Sequence, residues 1–196
     1  FKFGKEIVID LSSSPINSVF ITAELTPLSR IGGLGDVSRD LPGALSSLGV
    51  NNIIFTLKYD AISSNNLEFI AKAEMNILNE NIKINIWKTT LGTNTVYLLK
   101  DNKEYSSRIY EGNQLRQSII LCEGTFKAIE KLVEMGLMVR PNLMHANDWH
   151  AALIPVYLKT KYGKHPLFFN VASVFTIHNL AYQGLFNVGH FPELGI

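Results

Sequence analysis

The sequence predicts an α/β protein with a Rossmann-like fold, in which a mainly parallel sheet carries helices on both faces. From about Ser18 onward, apolar strand-like runs alternate with helix-like segments, a pattern typical of a covered parallel sheet. A glycine-rich loop joins the first of these strands to the first helix. With 196 residues the chain can bury one substantial core, so we expect a single domain over 1–196.

The first three elements form a strand, helix, strand unit. The apolar run Val19–Ala23 predicts the first strand, and Asn52–Leu57 predicts the second. Between them, Asp36–Leu48 predicts a helix with Pro42 near its first turns and Gly49 as its C-terminal stop.

The middle of the chain is rich in β-formers. Three runs separated by Asn-rich polar turns predict strands at Phe69–Ile77, Ile82–Trp87 and Val96–Leu99. No helix pattern separates the second run from the third, so we expect local antiparallel pairing there. Leu115–Met135 is the longest helical pattern, and Gly136 ends it.

The last third predicts two short buried strands with a helix between them. The strands are Asn142–His145 and Val171–Ile177, and the helix is Trp149–Tyr162. Both strands run into histidine-bearing loops. Because ligands of open parallel sheets bind at the carboxyl ends of the strands, these loops and the glycine loop predict one site at one sheet edge.

Composition argues against several classes of partner. The chain has 18 Lys and Arg against 17 Asp and Glu, a net charge of +1, so neither nucleic acid nor a membrane is expected as a partner. No apolar segment reaches the ~18 residues of a membrane span, and Phe1–Ser14 carries charges where a signal peptide needs an apolar centre. The single cysteine, Cys122, predicts a buried free thiol, and a reducing cytoplasm fits it.

The glycine loop is suited to an anion. Glycines at positions 32, 33 and 35 let the backbone approach a ligand closely, and the following helix presents unpaired N–H groups and a positive dipole end. A phosphate is the expected guest, and the preceding Arg30 could pair with its oxygens. The alternative is a turn that only connects a strand to a helix, beside a solvated arginine.

The second polar cluster is His145-Ala146-Asn147-Asp148-Trp149-His150, at a strand-to-helix junction. Asp148 predicts a helix N-cap. A metal site that adds His178 is not expected, because His145 and His150 are five positions apart rather than three or four, and no cysteine joins them. Histidines satisfied within their own loop are the alternative to a binding role.

The third cluster, His178–Gly184, follows the last predicted strand. It combines polar, aromatic and glycine residues, a mixture suited to hydrogen-bonding a sugar while stacking against its apolar face.

These clusters closely resemble the amino-terminal half of bacterial-type glycogen and starch synthases, glycosyltransferase family 5. The matching segments are Glu24–Pro27 with Arg30–Val37, then His145–Ala151, then His178–Gly184. They stand in the right order and at the right spacing. The resemblance implies a retaining glucosyltransferase with two Rossmann domains, which moves glucose from ADP-glucose or UDP-glucose to the non-reducing end of an α-1,4-glucan and needs neither a metal nor another cofactor.

The resemblance also implies roles for individual residues. The loop of Gly32, Gly33, Leu34 and Gly35 would face the diphosphate, with Arg30 in the place of the family's lysine. His150 and Asn179 would line the glucose pocket, His150 also through its backbone carbonyl. Glu24, Asp36 and Tyr105 would lie on the acceptor side, with His150 and Asp36 as the catalytic pair.

Two departures from the family pattern bear on these roles. Arginine at position 30 keeps the positive charge but changes its shape and reach, which leaves the choice between ADP-glucose and UDP-glucose open. The chain ends at Ile196, shortly after the third motif. The family's second Rossmann domain, with the nucleotide base pocket and a paired-glutamate motif, is therefore expected as a partner that this sequence does not contain.

Two other functions compete with this interpretation. A non-catalytic glucan-binding module could use the same scaffold, and the two differ in whether the gene continues past Ile196 into a second α/β domain. A nicotinamide-dependent oxidoreductase would rest on the glycine loop alone. It fails because Ser38 stands where the dinucleotide fingerprint needs its third glycine.

Overall fold

A computed structural model describes residues 15–196; the prediction about Phe1–Ser14 falls outside them. The strands are β1 Asn17–Ile21, β2 Asn51–Leu57, β3 Glu68–Ile77, β4 Glu80–Leu91, β5 Asn94–Asp101, β6 Leu143–Asn147 and β7 Ala172–Thr176. The α-helices are α1 Gly33–Ser47, α2 Gln114–Glu134 and α3 Leu153–Lys159. Two 3₁₀ helices cover Trp149–Ala151 and Val188–Leu194.

The strands form one seven-stranded sheet in the order β3-β4-β5-β2-β1-β6-β7. Neighbours from β5 to β7 are parallel, and β3 and β4 add the predicted antiparallel pairs at one side. The mainly parallel α/β fold is therefore confirmed. β1 lies at the centre, where Val19 is paired with Ile53 on one side and with Met144 on the other.

The core lies on both faces of the central strands. Val19, Phe20 and Ile21 are fully buried even though successive side chains point to opposite faces. Both faces must therefore be covered. α1 packs against β2 and β5, while α2 crosses β2, β3 and β5. Right-handed crossovers put these two helices on opposite faces, because the chain moves one way along the sheet after β1 and the other way after β5.

Helix α1 begins three residues earlier than predicted, at Gly33. Pro42 therefore lies in the middle of the helix and not near its first turns, which corrects that prediction. Its carbonyl accepts hydrogen bonds from the side chains of Ser46 and Asn52. Gly49 ends the helix as predicted, with φ of 88° and its N–H bonded to the Ser46 carbonyl.

The predicted helix Trp149–Tyr162 is split into a 3₁₀ turn and the short α3. Pro155 is the third residue of α3, and the first turn is where a helix tolerates a residue without an N–H, so α3 starts just ahead of it. The predicted burial of the last strand is wrong. Val174 and Phe175 in β7 are 44% and 42% exposed, because within residues 15–196 β7 is an edge strand that pairs with β6 alone.

The order in which strands are added to the sheet reverses at β1. β2 lies on one side of β1 and β6 on the other, and the loops that leave β1 and β6 turn to opposite faces. In an open α/β sheet such a switch point leaves a crevice at the carboxyl ends of the strands. The fold thus places the best location for a ligand between the loops after β1 and β6.

Candidate functional site

A cavity of about 720 Å³ lies at this switch point. The predicted convergence is present, since the loops after β1, β6 and β7 all contribute to its wall. The lining residues are Glu24, Ile31, Gly32, Gly33, Leu34, Val37, Tyr110, Gln114, Asp148, Trp149, His150, His178, Asn179 and Tyr182. Its size suits a sugar or a nucleotide fragment.

The glycine loop reaches the cavity through the N-terminus of α1. Gly32 is the N-cap residue, and the N–H groups of Gly33, Leu34 and Gly35 open the helix, where no intrahelical carbonyl can accept them. Gly35 is needed for close packing, since a Cβ there would lie 2.9 Å from Thr26 Oγ1. Gly35 therefore supports the loop from behind, while Gly32, Gly33 and Leu34 face the cavity.

Glu24 is a buried carboxylate behind this loop, with 3% of its surface exposed. Its Oε2 accepts hydrogen bonds from the backbone N–H groups of Ile31 and Gly32, both at 2.7 Å. Its Oε1 accepts from the Tyr110 hydroxyl at 2.5 Å. Burial and this bond raise the pKa of Tyr110 above its usual value, so the phenol stays protonated and donates.

His150 presents a neutral ring to the cavity. The ring stacks on Tyr110 and also contacts Trp149. Burial lowers the pKa of His150 to about 4, and its Nδ1 has no hydrogen-bond partner among residues 15–196. At neutral pH this imidazole can accept or donate a single hydrogen bond to a ligand without carrying charge.

The backbone carbonyl of His150 faces helix α2 instead of the cavity. It accepts a hydrogen bond from Ser118 Oγ at 2.8 Å and one from Cys122 Sγ at 3.3 Å. Both lone pairs are thus engaged, which argues against the carbonyl contact with glucose that the family resemblance implied. Cys122 is a buried free thiol as predicted, and burial raises its pKa to about 12.

Asp148 joins the loops that follow β6 and β7. It is the N-cap residue of the 3₁₀ turn, but its side chain makes no capping bond in the described part of the chain, which corrects the predicted cap. Instead its Oδ1 accepts from the backbone N–H groups of His178 at 2.7 Å and Asn179 at 3.2 Å. Its backbone is strained, with φ of 56° and ψ of 176°, a region that almost only glycine adopts.

The side chain of His178 is held by Asn147, the last residue of β6. Its Nε2 lies 2.9 Å from Asn147 Oδ1, and Asn147 in turn donates to the carbonyl of Ile21 in β1. His145, the third histidine near this edge, contacts Thr176 Oγ1 at 2.7 Å. Burial, and then the nearby His178, lower the pKa of His145. These bonds tie β1, β6 and β7 together below the cavity.

Some predicted site residues lie outside the cavity lining. Asp36 pairs with Arg30 at 2.9 Å and also accepts from Thr26 Oγ1 at 3.1 Å. The Arg30 side chain is 61% exposed, beside the glycine loop. Tyr105 turns away, because its hydroxyl donates to Glu80 at 3.0 Å and contacts Arg116.

The site residues selected from the sequence leave out eight residues of the lining: Ile31, Val37, Tyr110, Gln114, Asp148, Trp149, His178 and Tyr182. Tyr110 lines the cavity, whereas Tyr105, five positions earlier, does not. No local pattern separates these two tyrosines, because the contact that matters is with Glu24, 86 positions away in the chain. Trp149 and Tyr182 do lie within the motifs that the sequence singled out.

Residues 15–196 lack two further features, a metal-binding cluster and a helix that could span a membrane. No three His, Cys, Asp or Glu side chains lie close enough together to form a metal-binding group in that part of the chain. None of its helices is both long enough and apolar enough to cross a bilayer.

Comparison with known proteins agrees with the motifs. A family model described as the starch synthase catalytic domain matches residues 17–196. The glycogen synthase of Pseudothermotoga lettingae is 34% identical over 187 residues, which cover 90% of this chain and 37% of the relative. That of Thermotoga maritima is 33% identical over 189 residues, which cover 91% of this chain and 38% of the relative. The chain thus spans well under half the length of these relatives.

A solved structure shares the fold. The catalytic domain of Starch Synthase IV from Arabidopsis thaliana, bound to ADP and acarbose, is 25% identical with a TM-score of 0.81. The match covers 93% of this chain and 38% of the plant protein.

Proposed function

The chain belongs to the family of starch synthase catalytic domains, and from that premise we propose that it is the amino-terminal part of a retaining glucosyltransferase. The reaction would move glucose from ADP-glucose or UDP-glucose to the non-reducing end of an α-1,4-glucan in the cytoplasm. The observation that carries the proposal is the cavity at the switch point, where the start of α1 faces His150 and Asn179.

The chemistry of this transfer suits the site. Breaking the bond between glucose and the diphosphate develops negative charge on the leaving group, and the free N–H groups and positive dipole of α1 stabilise such charge. Arg30 lies beside the same loop and is paired with Asp36. If its guanidinium moves from Asp36 to the leaving diphosphate, it adds a positive charge there. In this arrangement Asp36 holds Arg30 ready and does not itself touch the sugar.

We assign the glucose unit to the part of the cavity lined by His150, His178 and Asn179. A neutral imidazole and an amide hydrogen-bond hydroxyl groups without attracting the phosphates, and the rings of Trp149 and Tyr182 offer apolar contact. Tyr110, whose ring stacks on His150, completes this pocket, and no metal takes part.

The second domain, with the nucleotide base pocket, is part of the proposal. Its support is that the relatives are much longer than this chain and that β7 leaves apolar side chains uncovered, with Ile177 just beyond it 56% exposed. A solitary strand edge of this kind is normally covered in a native protein.

Transfer of labelled glucose from ADP-glucose and UDP-glucose into glycogen tests the proposal. We expect activity from the product of the complete gene and none from residues 1–196 alone. Robust transfer by the isolated chain would refute the need for a second domain. A complete protein that binds malto-oligosaccharides but transfers nothing from either donor would refute the enzyme in favour of a glucan-binding module.

A further inference from the structure

We infer that Glu24 is a positioning residue, which locks the glycine loop and Tyr110 together and thereby decides which amides remain free for an anionic ligand. The inference rests on the proposed function only for the nature of that ligand. It departs from the acceptor contact that the family resemblance implied for Glu24.

The geometry of the carboxylate carries the first step. Glu24 lies three residues after the end of β1, and its two oxygens accept three hydrogen bonds from two separate loops. Each bond involves a charged acceptor, the kind that is shorter and stronger than a neutral pair. With 3% of its surface exposed, the residue has little area left for a sugar hydroxyl.

The choice of amides carries the second step. Ile31 and Gly32 precede α1, so their N–H groups would be the outermost members of an anion-binding loop. Glu24 occupies both of them. An external anion is left with the N–H groups of Gly33, Leu34 and Gly35, inside the first turn.

The bond to Tyr110 carries the third step. Through its hydroxyl Tyr110 is fixed to the same carboxylate, and through its ring it stacks on His150. One buried side chain therefore sets the distance between the anion-facing helix start and the neutral histidine across the cavity. Glu24 acts on a ligand through both neighbours.

Amide hydrogen exchange on the 196-residue chain tests this directly. In Glu24→Ala we expect the N–H groups of Ile31 and Gly32 to exchange about tenfold faster, because each loses its acceptor. Glu24→Gln should restore most of the protection, since its amide oxygen can accept both bonds while its NH₂ group donates to Tyr110. Glu134→Ala, which removes a side chain 68% exposed at the far end of α2, is the matched control.

Unchanged exchange at Ile31 and Gly32 in a folded Glu24→Ala protein would overturn the inference. If that variant does not fold, Tyr110→Phe keeps the question open to test. It removes only the bond to Oε1, so it should leave both amides protected while the ring at position 110 gains mobility. Loss of protection at the two amides would contradict the assignment.

Titration with inorganic pyrophosphate separates this inference from the proposed function. In the unsubstituted chain we expect the N–H resonances of Gly33, Leu34 and Gly35 to move, and those of Ile31 and Gly32 to stay. In Glu24→Ala the N–H resonances of Ile31 and Gly32 should move as well, because their acceptor is gone, whereas in Glu24→Gln they should again stay. If no N–H resonance moves on addition of pyrophosphate, the proposed diphosphate site is wrong. The hydrogen-exchange rates at Ile31 and Gly32 would still decide the role of Glu24.

Discussion

The ring of Tyr110 stacks on the ring of His150, with 4.6 Å between the centroids and 24° between the planes. The two residues come from opposite ends of the segment that contains α2, and the stack closes one wall of the cavity. It also covers the histidine, whose Nδ1 is buried without a partner among the described residues. Protonation of His150 would therefore place an uncompensated charge in an apolar setting.

The first prediction is that acid destabilises the fold through His150. Its folded pKa of about 4 lies below the value near 6.5 of an unfolded histidine, so the unfolded chain binds the proton first. The contribution is complete above pH ~6.5 and is lost as the pH falls toward 4, which amounts to about 2 kcal/mol between pH 7 and pH 5. Urea unfolding at the two pH values measures it.

His150→Gln supplies the comparison, because it removes this titration and leaves every other group in place. The free energy of unfolding should then fall less over the same pH range. His145, whose pKa is also lowered, contributes in the same direction in both proteins. Equal slopes for the two proteins would show that His150 is not the group responsible.

The second prediction uses the strained backbone of Asp148. Replacing it by alanine keeps the strain and leaves the N–H groups of His178 and Asn179 without their acceptor, at a cost of ~2–4 kcal/mol in the free energy of unfolding. Replacing it by glycine loses the same bonds but relieves the strain. Asp148→Gly should therefore be more stable than Asp148→Ala by ~1–2 kcal/mol in urea unfolding, and the reverse order would contradict the strain.

The sequence predicted the parts of this fold that depend on local pattern. The strands β1, β2 and β6 were located to within two residues at each end, because short apolar runs next to glycine or polar turns admit few other structures. The order of the chain along a parallel sheet then placed three motif loops at one edge. For the same reason, most of the cavity lining lies within the three motifs.

What the sequence did not predict depends on contacts between distant segments. Tyr105 was chosen where Tyr110 lines the site, because only the folded chain brings Tyr110 to Glu24. The cap assigned to Asp148 was reasonable from its position, yet the stronger donors were the amides about thirty positions away. The apolar run of β7 predicted burial, but its side chains are exposed. Burial also requires a neighbouring strand on each side, and the sequence pattern of one strand does not reveal its neighbours.

The third prediction concerns Gly184, whose backbone packs against Trp149. A Cβ at this position would come within 2.3 Å of the indole ring, and φ is 62°. Gly184→Ala should lower the free energy of unfolding by more than the ~1 kcal/mol expected from the positive φ alone. Gly92→Ala is the matched control, because φ there is 58° and the space around it is open. If both variants lose the same free energy of unfolding in urea, the indole ring moves aside without an energetic penalty and the prediction is wrong.

The fourth prediction is that no metal binds at His145, Asp148, His150 and His178. Asp148 is committed to two backbone N–H groups, and His145 and His178 already contact Thr176 and Asn147. Elemental analysis of protein purified without chelators should show less than stoichiometric zinc or manganese. About one equivalent, lost in His150→Ala, would point instead to metal-assisted chemistry.

The fifth prediction addresses Arg30 in the product of the complete gene. If its guanidinium leaves Asp36 to pair with the departing diphosphate, Arg30→Ala should lower kcat/KM by about tenfold or more, equivalent to ~1.5 kcal/mol of transition-state stabilisation. Arg39→Ala is the matched control, since Arg39 lies 3.6 Å from the same carboxylate but further along α1, away from the glycine loop. A kcat/KM that changes equally in both variants would show that Arg30 serves only to neutralise Asp36, and the leaving group would then depend on the α1 amides alone.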